Sequence, residues 1–218
     1  MPSTTEIRKI HATLERCYGP KRPPKARGNP LDELILTILS QNTSDINSHR
    51  AFQVLRQVMP TWEEVHRAPV RKVTRAIDSG GLANLKAIRI KLVLDRIYRE
   101  QGHFDLSFLR DLSVEEVKAY LSRFKGIGPK TIACLLLFSL GKPAFPVDTH
   151  VHRVTRRLGL VDEKASPDKA QGLLEAMVPP DLFYPMHMNL VQHGRKTCKA
   201  SAPLCHICPL VKLCAYVQ

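Results

Sequence analysis

The sequence has no apolar run approaching the roughly 18 residues a membrane span needs, and Met1 to Glu6 contain no apolar core of a secretory signal. A cytoplasmic address is therefore expected, with no membrane partner. Strand signals are scarce: alternating β-branched stretches are few, and no Asn-Gly or Asp-Gly pair marks a hairpin turn. No segment repeats with a solenoid period, and none is of low complexity. Acidic residues are in the minority, 20 Asp+Glu against 33 Lys+Arg, giving a formal net charge of +13. An excess of this size points to a polyanionic partner, because neutralising phosphates releases condensed counterions. Nucleic acid fits better than an anionic membrane, since no segment pairs a basic face with exposed Trp and Phe.

What is present is helix. Apolar spacing and caps predict helices over Thr5–Cys17, Leu31–Ser40, Ser44–Val58, Glu63–Arg67, Val70–Ile77 and Leu85–Gln101. Asn29-Pro30 supplies an N-cap with proline at the first helical position. Lys21 to Gly28 is a basic, proline-rich linker. Ser113-Val114-Glu115-Glu116 is a capping box opening a helix that ends near Phe124. Thr131–Leu140 is a buried helix stopped by Gly141, and Asp148 is placed to cap a helix through Leu158. Pro167–Met177 and Leu182–Gly194 complete the set.

Between two of these helices lies Lys125-Gly126-Ile127-Gly128-Pro129-Lys130. Two glycines leave the backbone uncovered, and main-chain amides at a helix start can face a phosphate. Lys130 falls in the first turn of the second helix, where the dipole disfavours a cation and favours the free amine. Taken alone, it is a phosphate contact. Asp148, taken alone, is an N-cap, though a carboxylate there could also stabilise positive charge on a sugar. Six cysteines are present, and Cys198, Cys205, Cys208 and Cys214 crowd the C-terminal segment. Four thiolates at this spacing can hold a [4Fe–4S] cluster or zinc. Zinc ribbons need two short Cys knuckles, and only Cys205-x2-Cys208 qualifies; Pro209 after Cys208 is similar to the Cys-Pro of ferredoxins. Cys17 and Cys134 are expected in the core.

Taken together, Leu39 to Asp45, Gly80 to Ala87, Gly126 to Thr131, Pro146 to Arg153 and the four-cysteine loop resemble the endonuclease III family of helix-hairpin-helix DNA glycosylases. The resemblance covers about Asn29 to Cys214. It implies an all-α, two-domain fold with a C-terminal [4Fe–4S] cluster loop. Residues 28–140 would form a six-helix domain carrying the hairpin. Residues 1–27 with 141–218 would form a second helical domain holding the cluster loop (198–214). Double-stranded DNA with damaged bases or abasic sites would lie across the cleft between them, bound by a monomer. Lys130 would attack the sugar, displace an oxidised pyrimidine such as thymine glycol and form a Schiff base, cutting the strand 3′ by β-elimination. Asp148 would assist. Gln41 and Leu82 would fill the gap left by the flipped nucleotide. Gly126, Ile127 and Gly128 would offer amides to the DNA backbone, with Lys125, His150, Arg153, Lys196 and Lys199 as further DNA contacts. Cys198, Cys205, Cys208 and Cys214 would ligate the cluster.

Two departures from the family pattern stand out. Phe124-Lys125 replaces the usual Leu-Pro before the hairpin, and Gln41-Asn42-Thr43-Ser44-Asp45 replaces Gln-Ala-Thr-Asp. The alternatives are a mismatch-specific glycosylase, whose branch lacks a lysine at the Lys130 position, and a non-catalytic DNA-binding protein.

Overall fold

The computed structural model describes residues 3–24 and 28–217. Lys25, Ala26 and Arg27 of the basic linker lie outside the described residues. The architecture is all-helical, and no strand is present among the described residues. By contact, the chain divides into two compact units: Arg27–Leu140, and Met1–Ala26 together with Gly141–Gln218.

The central unit is built around helix α2 (Pro30–Ser40), whose Leu31, Leu34, Ile35, Ile38 and Leu39 are fully buried. Each such side chain contributes about 1.5–3 kcal/mol when withdrawn from water. Asn29 caps α2: its side-chain oxygen accepts from the Leu31 amide at 2.8 Å, and Pro30 fills the first position, where a missing N–H costs nothing. Around α2 pack α3 (Asp45–Val58), α6 (Ala83–Gln101) and α8 (Pro129–Cys134), and α5 (Val70–Ala76) packs on α6. The short α4 (Trp62–Arg67) is tied to α2 by Trp62, whose indole N–H donates to Asp32 at 2.9 Å. Helix α7 (Val114–Ser122) opens with the expected capping box, in which Ser113 and Glu116 satisfy each other's backbone amides.

The helix after the hairpin differs from the expectation. It is α-helical from Pro129 and then widens into a π-helical stretch over Leu135–Leu140. Wide turns weaken the regular backbone ladder and need partners from elsewhere. Arg110 supplies one, donating to the Ser139 carbonyl at 2.8 Å, while the Ser139 hydroxyl donates to the Gly28 carbonyl at 2.9 Å.

The second unit pairs the two ends of the chain. Helix α1 (Thr4–Tyr18) buries Ile7, Ile10 and Leu14, an i, i+3, i+7 stripe, and packs on α11 (Phe183–Lys196). Helix α9 (Thr149–Arg157) also packs on α11, with α10 (Pro167–Met177) beside it. Short 3-10 turns carry the cysteine segment. Cys134 is buried as expected, whereas Cys17 is exposed, in the last turn of α1 beyond Leu14, the last buried residue of the stripe. No helix among the described residues is long and apolar enough to cross a membrane.

Candidate functional site

In the central unit, two loops are pinned together by one buried lysine. Lys86, on the inner face of α6, is 3% exposed. Its ammonium donates to the carbonyls of Leu39 at 2.6 Å and Gly80 at 2.7 Å, and to the Thr43 hydroxyl at 3.1 Å. Burial pushes its pKa down, with the nearby Arg89 adding to the effect. The Thr43 hydroxyl in turn donates to the Gly80 carbonyl. The loop after α2 and the turn before α6 are thus a single assembly, although about forty residues separate them in the chain.

Each of these loops holds a left-handed, non-glycine residue, Asn42 (φ 52°) and Leu82 (φ 50°). Asparagine tolerates that conformation, but leucine does so at a cost of about 1–2 kcal/mol. Leu82 also leaves its side chain exposed while standing as the N-cap of α6. Strain held at an exposed apolar tip marks a site where the surrounding structure overrides local preference. Gln41 ends α2 with extended backbone and is half-buried. Gln41 and Leu82, paired by the sequence reading, therefore project from the one pinned assembly.

The hairpin follows from its glycines. Gly126 takes φ +85°, and Gly128 is extended as the N-cap of α8. The Ile127 amide donates to the Phe124 carbonyl at 3.1 Å and closes the turn, so it does not point outward as the sequence reading expected. Among the described residues, the amides of Gly126 and Gly128 make no hydrogen bond within the protein and remain open to an external acceptor. Lys125 is exposed beside them.

Lys130 occupies the second position of α8 and is half-buried. Glu33, on α2, is close enough to feel it. Burial pushes the Glu33 carboxyl up, opposed by a hydrogen bond from the Thr37 hydroxyl at 3.4 Å and by the charges of Lys130 and His49. Sequence reasoning missed Glu33, since one carboxylate on an apolar helix carries no motif.

In the second unit, Asp148 caps α9, its side-chain oxygen accepting from the Val151 amide at 2.7 Å. Arg153, expected at DNA, is engaged with the protein. It donates to the carbonyls of Gly194 at 2.8 Å and Cys198 at 3.0 Å and faces His150 Nδ1 at 3.1 Å, so Arg153 and His150 brace α9 against the end of α11. Lys196 and Lys199 are exposed near the cysteine loop.

Cys198, Cys205, Cys208 and Cys214 line one cavity with mainly apolar walls. Among the described residues, no three metal-ligating side chains converge closely enough for a single ion. Four thiols lining one apolar cavity are a donor set that suits a thiolate-ligated metal group. Polar groups already face the sulfurs. Arg157 donates to Cys198 Sγ at 3.3 Å and to the Lys199 carbonyl at 2.7 Å. His193, pushed by burial down to about 4, is neutral at physiological pH. Its Nδ1 lies 2.8 Å from the Tyr18 hydroxyl and its Nε2 lies 3.7 Å from Cys208 Sγ. Burial pushes the Cys208 and Cys214 thiols up, and the neighbouring thiols add to it. Tyr18, Arg157 and His193 had no signature in the sequence.

A helix-hairpin-helix element, strained loops beside it and a C-terminal cysteine cage define a recognisable class. The family model described as "HhH-GPD superfamily base excision DNA repair protein" matches residues 35–180. Endonuclease III of Thermotoga maritima is 34% identical over 190 residues, covering 87% of this chain and 84% of that protein. A candidate DNA glycosylase of Arabidopsis thaliana (At3g47830) is 44% identical over 165 residues, which cover 76% of this chain but 56% of the relative. The DNA glycosylase/AP lyase ROS1 of the same plant is 34% identical over 180 residues, only 13% of its length. The chain thus spans about half or less of the plant relatives it matches. A solved structure titled as a trapped endonuclease III–DNA covalent intermediate superposes with a TM-score of 0.84 at 25% identity, covering 100% of this chain and 98% of that one. The chain belongs to the HhH-GPD superfamily of base excision DNA repair proteins, and within it to the endonuclease III family.

Proposed function

We propose that the chain is a bifunctional DNA glycosylase and abasic-site lyase that acts on damaged double-stranded DNA. The observation that carries this is Lys130, held half-buried at the second position of the helix behind the hairpin. A lysine so placed is brought next to the sugar by the same element that grips the backbone. Its amine attacks C1′, the damaged base leaves, and the resulting Schiff base undergoes β-elimination, cutting 3′ to the site. Asp148 assists the attack and stabilises the cationic sugar. Oxidised pyrimidines such as thymine glycol are the expected substrates. The relatives named as endonuclease III and as a DNA glycosylase/AP lyase support this reading.

The exposed, strained Leu82 acts as an apolar wedge, and Gln41 enters the gap left by the extruded nucleotide. The glycine amides of the hairpin, Lys125, Lys196 and Lys199 contact phosphate; His150 and Arg153 support that surface by bracing α9. The four cysteines hold a [4Fe–4S] cluster, whose chemistry is that of a thiolate-ligated iron group, and residues 28–140 act as one domain.

Borohydride trapping on a duplex with one abasic site tests the reading. A covalent adduct is expected with the native protein and none with Lys130→Ala. An adduct undiminished in Lys130→Ala overturns the assignment of the nucleophile.

A further inference from the structure

Arg89 lies on α6, one residue before the buried Ile90 and three after Lys86. Its Nη1 donates to Gln41 Oε1. The same side chain covers the hairpin glycine. A Cβ at Gly126 would meet Arg89 Nε and would fall 2.9 Å from Cδ and 3.0 Å from Cζ. One guanidinium therefore joins the loop after α2 to the hairpin before α8. Glycine is favoured at position 126 by its positive φ, and a Cβ there would push aside the flexible end of Arg89.

The chemistry of this contact fixes the orientation of the amide. A guanidinium has donors and no acceptor, so only the amide oxygen of Gln41 can face it. With the oxygen held inward, both hydrogens of Nε2 are left to the outside. An unrestrained glutamine presents either end to a partner. A glutamine held this way presents donors, which suit a carbonyl oxygen or a ring nitrogen and are repelled by an exocyclic amine or a ring N–H. The four bases differ in where they carry these groups.

We infer that Arg89 is a positioning residue that presents Gln41 to DNA as a hydrogen-bond donor and so sets which base is accepted opposite the lesion. The inference rests on the glycosylase/lyase reading above and on Gln41 entering the helix gap. The discriminating partner is the intact base on the undamaged strand, and the selection is for an acceptor at the point Gln41 reaches. Thr43 and Lys86 hold the backbone of the loop, and Arg89 holds the side chain of Gln41.

The experiment uses the full chain and four duplexes, each with one abasic site, opposite A, C, G or T. Single-turnover borohydride trapping gives four rates per protein. Binding to the same four duplexes carrying a tetrahydrofuran abasic analogue gives four affinities that need no chemistry. The native protein is expected to spread across the four partners by about tenfold, the effect of one directed hydrogen bond made or opposed. Arg89→Ala should compress that spread to within about twofold. Gln41→Glu keeps the acceptor that Arg89 holds and turns an acceptor outward in place of the donors, so it should reverse the native order of preference among the four duplexes while the link to Arg89 persists. The double variant Arg89→Ala/Gln41→Ala should compress the spread no further than either change alone.

A uniform fall across all four duplexes in Arg89→Ala, with the spread intact, overturns the inference and makes Arg89 a phosphate contact. The native order of preference kept in Gln41→Glu, or no spread in the native protein, also overturns it. If the native protein forms no adduct, the lyase reading fails, while the affinity spread still decides the role of Arg89.

Discussion

Replacing Lys86 by methionine removes the ammonium that pins the two loops and keeps the length of the side chain. Three hydrogen bonds disappear, and the carbonyls of Leu39 and Gly80 lose a donor where water cannot easily reach. The Gly80 carbonyl keeps the Thr43 hydroxyl as a donor, so one unsatisfied buried acceptor is left, that of Leu39, at a cost of about 1–3 kcal/mol. Part of this is offset, because a buried ammonium carries a desolvation penalty that methionine lacks. A net destabilisation of about 1–2 kcal/mol follows, or a fall in melting temperature of roughly 2–8 °C for a chain of this size. Urea unfolding and thermal melts followed by far-UV circular dichroism measure both. The loops also lose their registration, and a displacement of about 1 Å at reacting groups costs on the order of a hundredfold in rate. Trapping assayed well below the melting temperature should therefore fall by more than the loss of folded protein explains. A Lys86→Met protein within about 0.5 kcal/mol of native refutes the claim that this ammonium holds the loops together.

Three further outcomes follow from the geometry. Asp148→Asn keeps a good N-cap on α9, so stability should stay within about 0.5 kcal/mol while single-turnover trapping drops roughly a hundredfold or more; equal losses in melting temperature and rate would reduce Asp148 to a cap. Cys208→Ser should lose most of a broad visible absorbance near about 400 nm and lower the unfolding midpoint, and an unchanged spectrum excludes Cys208 as a ligand. Burial raises the carboxyl of Glu33, which means that its ionised form is penalised in the folded state. Glu33→Gln should then raise the urea midpoint at about pH 7, with the gain shrinking as pH falls through the folded pKa toward the unfolded value of about 4.3; a gain that is constant with pH contradicts the assignment.

The parts of this molecule that could be read from the chain are those decided within a few residues. Asn29-Pro30, Ser113 with Glu116, and Asp148 mark helix starts by local hydrogen bonds, and each caps where expected. The glycines of the hairpin and the four cysteines are legible for the same reason, since spacing alone brings them together. The long-range ties were not legible. Lys86 and Arg89 reach loops 43 and 48 residues away along the chain. Nothing in a cation on an amphipathic helix says whether it points into a core, at a partner loop or into water. The internal bond of the Ile127 amide, the wide turn at 135–140 and the exposure of Cys17 depend likewise on what packs beside them.

The second unit has a history as well as a shape. Tyr18, at the end of α1, bonds to His193 and Thr197, beside the cysteine loop. During synthesis, α1 leaves the ribosome well before its partner α11. Residues 28–140 can collapse around α2 in the interval, because their contacts are local to that stretch. Until α11 arrives, the apolar stripe Ile7, Ile10, Leu14 remains uncovered, and the cysteine cage cannot be completed. Docking of α1 therefore waits on the synthesis of α11, and so does the cysteine site that Tyr18 borders.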